Sequence, residues 1–327
     1  MEAREKLKEI LKKGNVKHLD KLLKDLPPRS ILSRVNEELD SDGTTPLIHC
    51  VKCAGVSFAD SGTGFIDCCI YLIKHGAKVG TKDTHGKTPL FYAASNKNDR
   101  LGQTLLAAGA DPFVKNQNGV SILGIAIQTG AIGTAKKIIE EFDTVLNEVD
   151  GTGCPPLILS LQLGNDDLCR FLLDKGADVN IQEERSHRTA LHYALYMKKH
   201  EIFEKILSRN PNFELTDYKN TTIIHRASTI HDVQYLKSIF DSKMPPSSIL
   251  LNLSDCDGAN AVMLACQNGN FEHLKLLAEH GVNMKSFIAR RDKRHITIQC
   301  ANTTQTLFTR RQTQVQIQFS AKCDMIV

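Results

Sequence analysis

The feature that most constrains this chain is a period. A short string ending in an apolar residue recurs as Asp42-Gly-Thr-Thr-Pro-Leu47, His85-Gly-Lys-Thr-Pro-Leu90, Asn118-Gly-Val-Ser-Ile-Leu123, Gly153-Cys-Pro-Pro-Leu157, His187-Arg-Thr-Ala-Leu191, Asn220-Thr-Thr-Ile-Ile224 and Asp257-Gly-Ala-Asn-Ala-Val262. Their last residues are 43, 33, 34, 34, 33 and 38 apart. A period in this range means stacked supersecondary units, because one such unit cannot bury its apolar face without a neighbour.

Each string can be read physically. Thr before Pro starts a helix, with Thr as the cap and Pro in the first turn, where its missing N–H costs nothing. Three residues on comes a small residue (Cys50, Ala93, Ala126, Ser160, Ala194, Ala227 and Ala265), which lets a neighbouring helix approach. A second apolar segment follows and often ends in Gly, as in Leu172-Leu-Asp-Lys-Gly-Ala-Asp-Val-Asn180. Gly there supplies a left-handed C-cap. Asp-x-x-Gly ahead of the cap is a turn signal. In these residues the chain resembles the ankyrin-repeat family over about residues 40–283. The resemblance implies an all-α, ankyrin-repeat solenoid of about seven helix-turn-helix units with β-hairpin-like finger loops.

Three regions depart from the beat. Lys52–Gly64, rich in Gly and Ser, reads as a loop inserted in the first repeat. Leu26-Pro-Pro-Arg-Ser-Ile-Leu32 and Lys243-Met-Pro-Pro-Ser-Ser-Ile-Leu250 read as one variant linker used twice. Residues 1–39 are expected to form a helical cap or degenerate repeat ending in this linker; its Lys-rich outer face suits capping better than membrane-surface binding. Residues 284–327 lose the pattern, are rich in Thr and Gln, and alternate in Val315-Gln-Ile-Gln-Phe319. They read as a disordered tail, a strand or hairpin covering the last repeat, or an alternative terminus that replaces further repeats.

Charge separates these regions. Residues 284–327 carry eight Lys/Arg against two Asp, more than the whole formal charge of +4, so the repeats are slightly acidic. The clusters Arg290-Arg291-Asp-Lys293-Arg294 and Arg310-Arg311 could contact nucleic acid or serve nuclear import, but short basic clusters are usually solvated, and nucleic acid is not expected as a partner. The chain's last residues, Cys323-Asp-Met-Ile-Val327, place Cys one residue too far in for prenylation and weakly resemble a ligand for a carboxylate-capturing groove. The N-terminus is charged from its second residue, without the apolar core of a secretory signal, and no membrane span is expected. A cytoplasmic or nuclear monomer is expected, whose ten Cys are thiols.

Catalytic chemistry finds no support. Cys50, Cys53, Cys68, Cys69 and His49 come nearest to a zinc set, but Cys50 fills the small-residue slot and buried Cys behaves as a small hydrophobe. Ser61-Gly-Thr-Gly64 lacks the Gly-Lys-Ser/Thr of a phosphate loop. No catalytic, cofactor or metal residues are expected. His192 and His225 stand where the family resemblance implies a His bridging backbone groups between repeats.

The resemblance places partners on a concave side built by finger tips and first helices. At the tips that implies His85, Asn118, His187, Tyr218 and Lys219; on first helices it implies Tyr92, Asn96, Tyr193, Met197 and Arg226. Tyr and Arg suit binding hot spots, although Tyr92 and Tyr193 could equally pack on neighbours. Asn180 lies in a stretch that resembles one hydroxylated in the family, and is otherwise a turn residue. The expected function is a non-enzymatic scaffold or adaptor for a protein or peptide ligand. The alternative is a truncated or alternatively terminated product of a larger ankyrin-repeat signalling or channel protein.

Overall fold

The computed structural model describes residues 2–56 and 62–282. Every reading of residues 284–327 therefore lies outside the described residues, as does the middle of the insertion. The helices come in pairs. In chain order they are α1 (Glu2–Lys12) and α2 (Val16–Lys24), a linker helix α3 (Pro28–Asn36), then α4 (Pro46–Val56) with α5 (Gly62–Lys74), α6 (Pro89–Ser95) with α7 (Asp99–Ala107), and α8 (Ile122–Thr129) with α9 (Ile132–Glu141). After a 3-10 turn at Asp143–Asn147 come α10 (Pro156–Gln162) with α11 (Asp166–Asp174), α12 (Ala190–Tyr196) with α13 (His200–Leu207), α14 (Ile223–Thr229) with α15 (Gln234–Phe240), a short α16 (Ser248–Leu251), and α17 (Ala261–Gln267) with α18 (Phe271–Glu279). Among the described residues there are no strands; one isolated antiparallel bridge joins Lys115 and Ser121.

The chain divides after Ile206 into two compact units. In the first, the leading helices α1, α4, α6, α8, α10 and α12 each pack on the next, and the second helices α2, α5, α7, α9 and α11 form a parallel row. The pair α1 and α2 thus packs on α4 and α5 as one repeat packs on another. In the second unit α14 lies along α17, with α15 packed on α14 and α18 on α17.

The core follows the repeat pattern. Cys50, Ala93, Ala126, Ser160, Ala194, Ala227 and Ala265 are all fully buried, so the small-residue slot is the line along which helices meet. Leu105, Leu172, Leu173 and Leu277 fill the layer beneath. Burying a Leu side chain contributes about 1.5–3 kcal/mol, so each repeat depends on the neighbour that covers it. The expected caps form: Thr88 Oγ1 accepts from the Phe91 N–H at 3.3 Å and Ser121 Oγ from that of Gly124 at 2.9 Å. Gly176 ends α11 with φ of 90°, a conformation that side chains with a Cβ rarely adopt.

Two regions are more helical than the sequence reading. Both Pro-Pro linkers turn into short helices, α3 starting at Pro28 and α16 capped by Ser247. In α3 Pro28 fixes φ near the helical value and leaves unmade a bond the first turn never makes, whereas α16 starts after its prolines, with Ser247 Oγ accepting from the Leu250 N–H. The insertion is not loop throughout: α4 continues to Val56 and α5 begins at Gly62.

Candidate partner-binding face

At the root of each finger a carboxylate or amide oxygen collects the N–H groups that a tight turn leaves pointing inward. Asp83 Oδ1 accepts from the backbone of His85 at 3.0 Å and Lys87 at 2.9 Å. Asn116 does the same for Asn118 and Val120, both at 3.0 Å, Asp217 for Lys219 and Thr221, and Asp255 for Asp257 and Ala259. Consecutive fingers are also joined main chain to main chain. Thr84 N–H donates to Asp42 O at 2.9 Å, Gly151 to Gly119 O at 2.8 Å, Glu184 to Gly153 O at 3.0 Å and, within the second unit, Cys256 to Lys219 O at 3.0 Å. The approach is close enough that a Cβ on Gly151 would lie 2.1 Å from Asn118 O.

The first helix then reaches back to the same acid. Tyr92 Oη donates to Asp83 Oδ2 at 2.6 Å, Arg226 Nη2 to Asp217 Oδ2 at 2.5 Å, and Tyr193 Oη lies 3.4 Å from Glu183 Oε2. All three sit two residues after the apolar anchor of their repeat, so one register position ties helix to finger. Burial pushes these acids up, but the donors around them more than offset it. Asp83 is held below the usual carboxylate range by Tyr92 and the backbone of Lys87 and His85, and Asp217 is lowered to about 2 by Thr221 and Arg226. Burial and the adjacent carboxylate raise the Tyr92 hydroxyl. The acids are therefore ionised anchors.

The tip residues His85, Asn118, His187, Tyr218 and Lys219 are exposed. The helix residues Tyr92, Asn96, Tyr193, Met197 and Arg226 are half-buried. Asn96 is engaged within the fold: its Nδ2 donates to Val51 O at 3.0 Å, in space that a Cβ on Gly55 would fill, 2.1 Å from Asn96 Cγ. Asn180 N–H donates to Asp178 Oδ1 at 2.8 Å, as a turn residue does. His192 and His225 are buried, each with Nδ1 2.8 Å from the hydroxyl of its capping Thr. His225 Nε2 lies 3.0 Å from Leu253 O, so it ties its repeat to the linker leading to the next.

The tip-and-helix reading missed four residues on this face. Lys52 places its ammonium 4.7 Å from the Tyr92 ring centroid, and Lys87 approaches the same ring from the finger at 5.6 Å. Arg188 lies 5.8 Å from the ring of Tyr196, which is 70% exposed. Their signal was positional: Lys87 and Arg188 stand three residues before the anchor, Lys52 and Tyr196 five after it. Elsewhere, Cys50, Cys68 and Cys69 are buried between α4 and α5, with Cys50 donating to Phe65 O. Cys53 Sγ is 3.7 Å from His49 Nε2, and among the described residues no three metal-ligating side chains converge.

Comparison with known proteins agrees with this geometry. The family model described as ankyrin repeats (3 copies) matches residues 7–116, 94–183, 123–217 and 198–288. A putative ankyrin repeat protein, L371, of Acanthamoeba polyphaga mimivirus is 27% identical over 57% of the chain and 24% of its own length. Mouse inversin is 26% identical over 76% of the chain and 19% of its own. The chain thus spans about a quarter or less of the length of these relatives. Among solved structures, the ankyrin repeat domain of Bcl-3, described as a unique member of the IkappaB family, is similar over 72% of this chain and all of that one, with a TM-score of 0.55 and 18% identity.

Proposed function

The chain belongs to the ankyrin-repeat family, whose repeats are generally protein–protein interaction modules, and from that premise we propose that it is a non-enzymatic scaffold or adaptor holding a protein partner on the face built by finger tips and first helices. The observation that carries this reading is the division of labour at each finger. At the fingers rooted on Asp83, Glu183 and Asp217 the acid is buried and accepts several donors, which fixes the backbone, while the side chains of the tip residues His85, His187 and Tyr218 stay exposed. A rigid loop bearing variable exposed side chains is how a scaffold presents a binding surface at low entropic cost. Tyr218 joins a large exposed ring to a neighbouring ammonium, Lys219, 5.7 Å from its centroid, the kind of amphipathic surface that anchors protein interfaces.

The test is affinity capture of partners from cells with the full chain and with alanine at His85 and His187. Truncating hot-spot side chains costs about 2 kcal/mol or more each, so the double variant should lose the partner while its melting temperature is kept. A partner retained in full by that variant would place binding elsewhere on the molecule.

A further inference from the structure

We propose that the finger face of the first unit recognises an extended peptide segment with acidic side chains towards both ends and apolar residues between them. This rests on the preceding reading that the face holds a protein, and it names the chemistry of what is held.

Three register rows follow the face, three residues before the anchors Leu47, Leu90, Leu123, Leu157 and Leu191 and two and five residues after them, with Thr44, Cys154 and Leu159 buried beneath it. The contacts of Lys52 with Thr44 at 3.2 Å, Cys154 with Gln162 at 3.7 Å, and Arg188 with Tyr196 knit these rows into one surface. No position in these rows carries Asp or Glu in any of the five repeats. The cations sit at the two ends. Lys52 and Lys87 converge on Tyr92 in the first two repeats, and Arg188 stands over Tyr196 in the fifth. Between them the third repeat presents the half-buried Val120 and Ile125, and the third and fourth repeats carry Gln rather than a charge five residues after each anchor.

Asp83 and Glu183 lie buried at the finger roots with their oxygens already accepting backbone and side-chain donors, and Asp83 also pairs with Lys52 at 3.8 Å, so Lys87 is the cation that carries this end. The Lys87 ammonium forms no ion pair among the described residues; it rests over the Phe91 and Tyr92 rings. A carboxylate arriving there meets a cation whose desolvation is already partly offset by aromatic faces. Adjacent helices pack 8–10 Å apart, so the three steps from the second repeat to the fifth span about 30 Å. At about 3.3 Å per residue an extended segment of about nine residues bridges the cationic ends.

The experiment presents the full chain, immobilised, with a displayed library of random twelve-residue peptides at physiological salt. Enriched sequences should carry Asp or Glu near both ends with apolar residues between. Lys87→Glu and Arg188→Glu should each weaken a selected peptide about five- to tenfold, at opposite ends of its sequence, and Lys87→Gln and Arg188→Gln by less, with thermal melts confirming that every variant folds. Enriched peptides that are neutral or basic, or acidic peptides indifferent to these substitutions, would overturn the inference. If such peptides still weaken with alanine at His85 and His187, the binding face itself stands. A library that yields no enrichment, or only peptides indifferent to every substitution on this face, would overturn both.

Discussion

The fingers rooted at Asp83 and Glu183 reach a left-handed residue four positions before the anchor through turns of different length, three residues after Asp83 and four after Glu183. In the first, Gly86 takes the left-handed position with φ of 72°, the acid is a short Asp, and Tyr92 closes on it at 2.6 Å. In the second, His187 holds that position at φ of 55°, the acid is one methylene longer, and Tyr193 stands off at 3.4 Å, while Ser186 Oγ makes a short bond to Glu183 and Gln182 Nε2 caps His187 O at 2.6 Å. A left-handed backbone costs about 1–2 kcal/mol for a residue bearing a Cβ. The difference teaches that an acid collecting N–H groups at the root supports turns of either length, whereas the tip residue is free to vary even at some energetic cost. That is the arrangement expected of a surface whose tips are chosen for contact.

The largest effect should come from removing the acids. Asp83→Ala leaves two backbone N–H groups and the Tyr92 hydroxyl without their acceptor, at a cost of about 3 kcal/mol; Glu183→Ala should cost about 2 kcal/mol because its tyrosine bond is longer. Chemical denaturation with hydrogen exchange of the finger amides would measure both, and equal losses would break the contrast.

Acid should act on the protein in two stages. His225 and His273 are kept neutral by burial, below the usual histidine range, so the unfolded chain takes up protons first and stability declines as pH falls below about 6.5. Asp83, Glu183 and Asp217 are depressed, so their contribution is complete above the unfolded carboxylate range and is lost as pH falls from about 4 towards 2. Melting temperatures from pH 7 to 2.5 should show a shallow fall followed by a steep one, and a flat profile above pH 5 would contradict the histidine part.

Smaller effects should differ in sign or size between the fingers. Gly86→Ala should destabilise by about 1 kcal/mol, and His187→Gly should stabilise by about 0.5–1 kcal/mol through strain relief partly offset by unfolded-state entropy. Tyr92→Phe should cost about 1 kcal/mol and Tyr193→Phe less than about 0.5 kcal/mol. Denaturation midpoints of the four variants decide this, and two Gly-site changes of the same sign would refute the strain argument.

Much of the fold was legible because its determinants are local and repeat. The small-residue slot, the Thr caps and the C-cap glycines each act within one or two turns of chain, and the period aligned them. Less of the face was legible. Tyr92, Tyr193 and Arg226 were singled out as contact residues, but their bonds to Asp83, Glu183 and Asp217 cross nine or ten residues, and the turn chemistry of those acids was already sufficient to explain their presence. Asn96 was placed among partner-facing residues because it is polar and variable; its bond to Val51 O depends on Gly55, forty-one residues earlier, leaving room. Lys52, Lys87 and Arg188 emerged only when register rows could be followed from one repeat to the next.

The central claim is that the partner lies on the finger face, and site-specific photo-crosslinking in cells tests it most directly. A photoreactive phenylalanine placed at His187 or Tyr196, both exposed on that face, should form an adduct of the same mass from either site, and one placed at Glu140, exposed on α9, should form none. An adduct from Glu140 with none from His187 or Tyr196 would contradict the account.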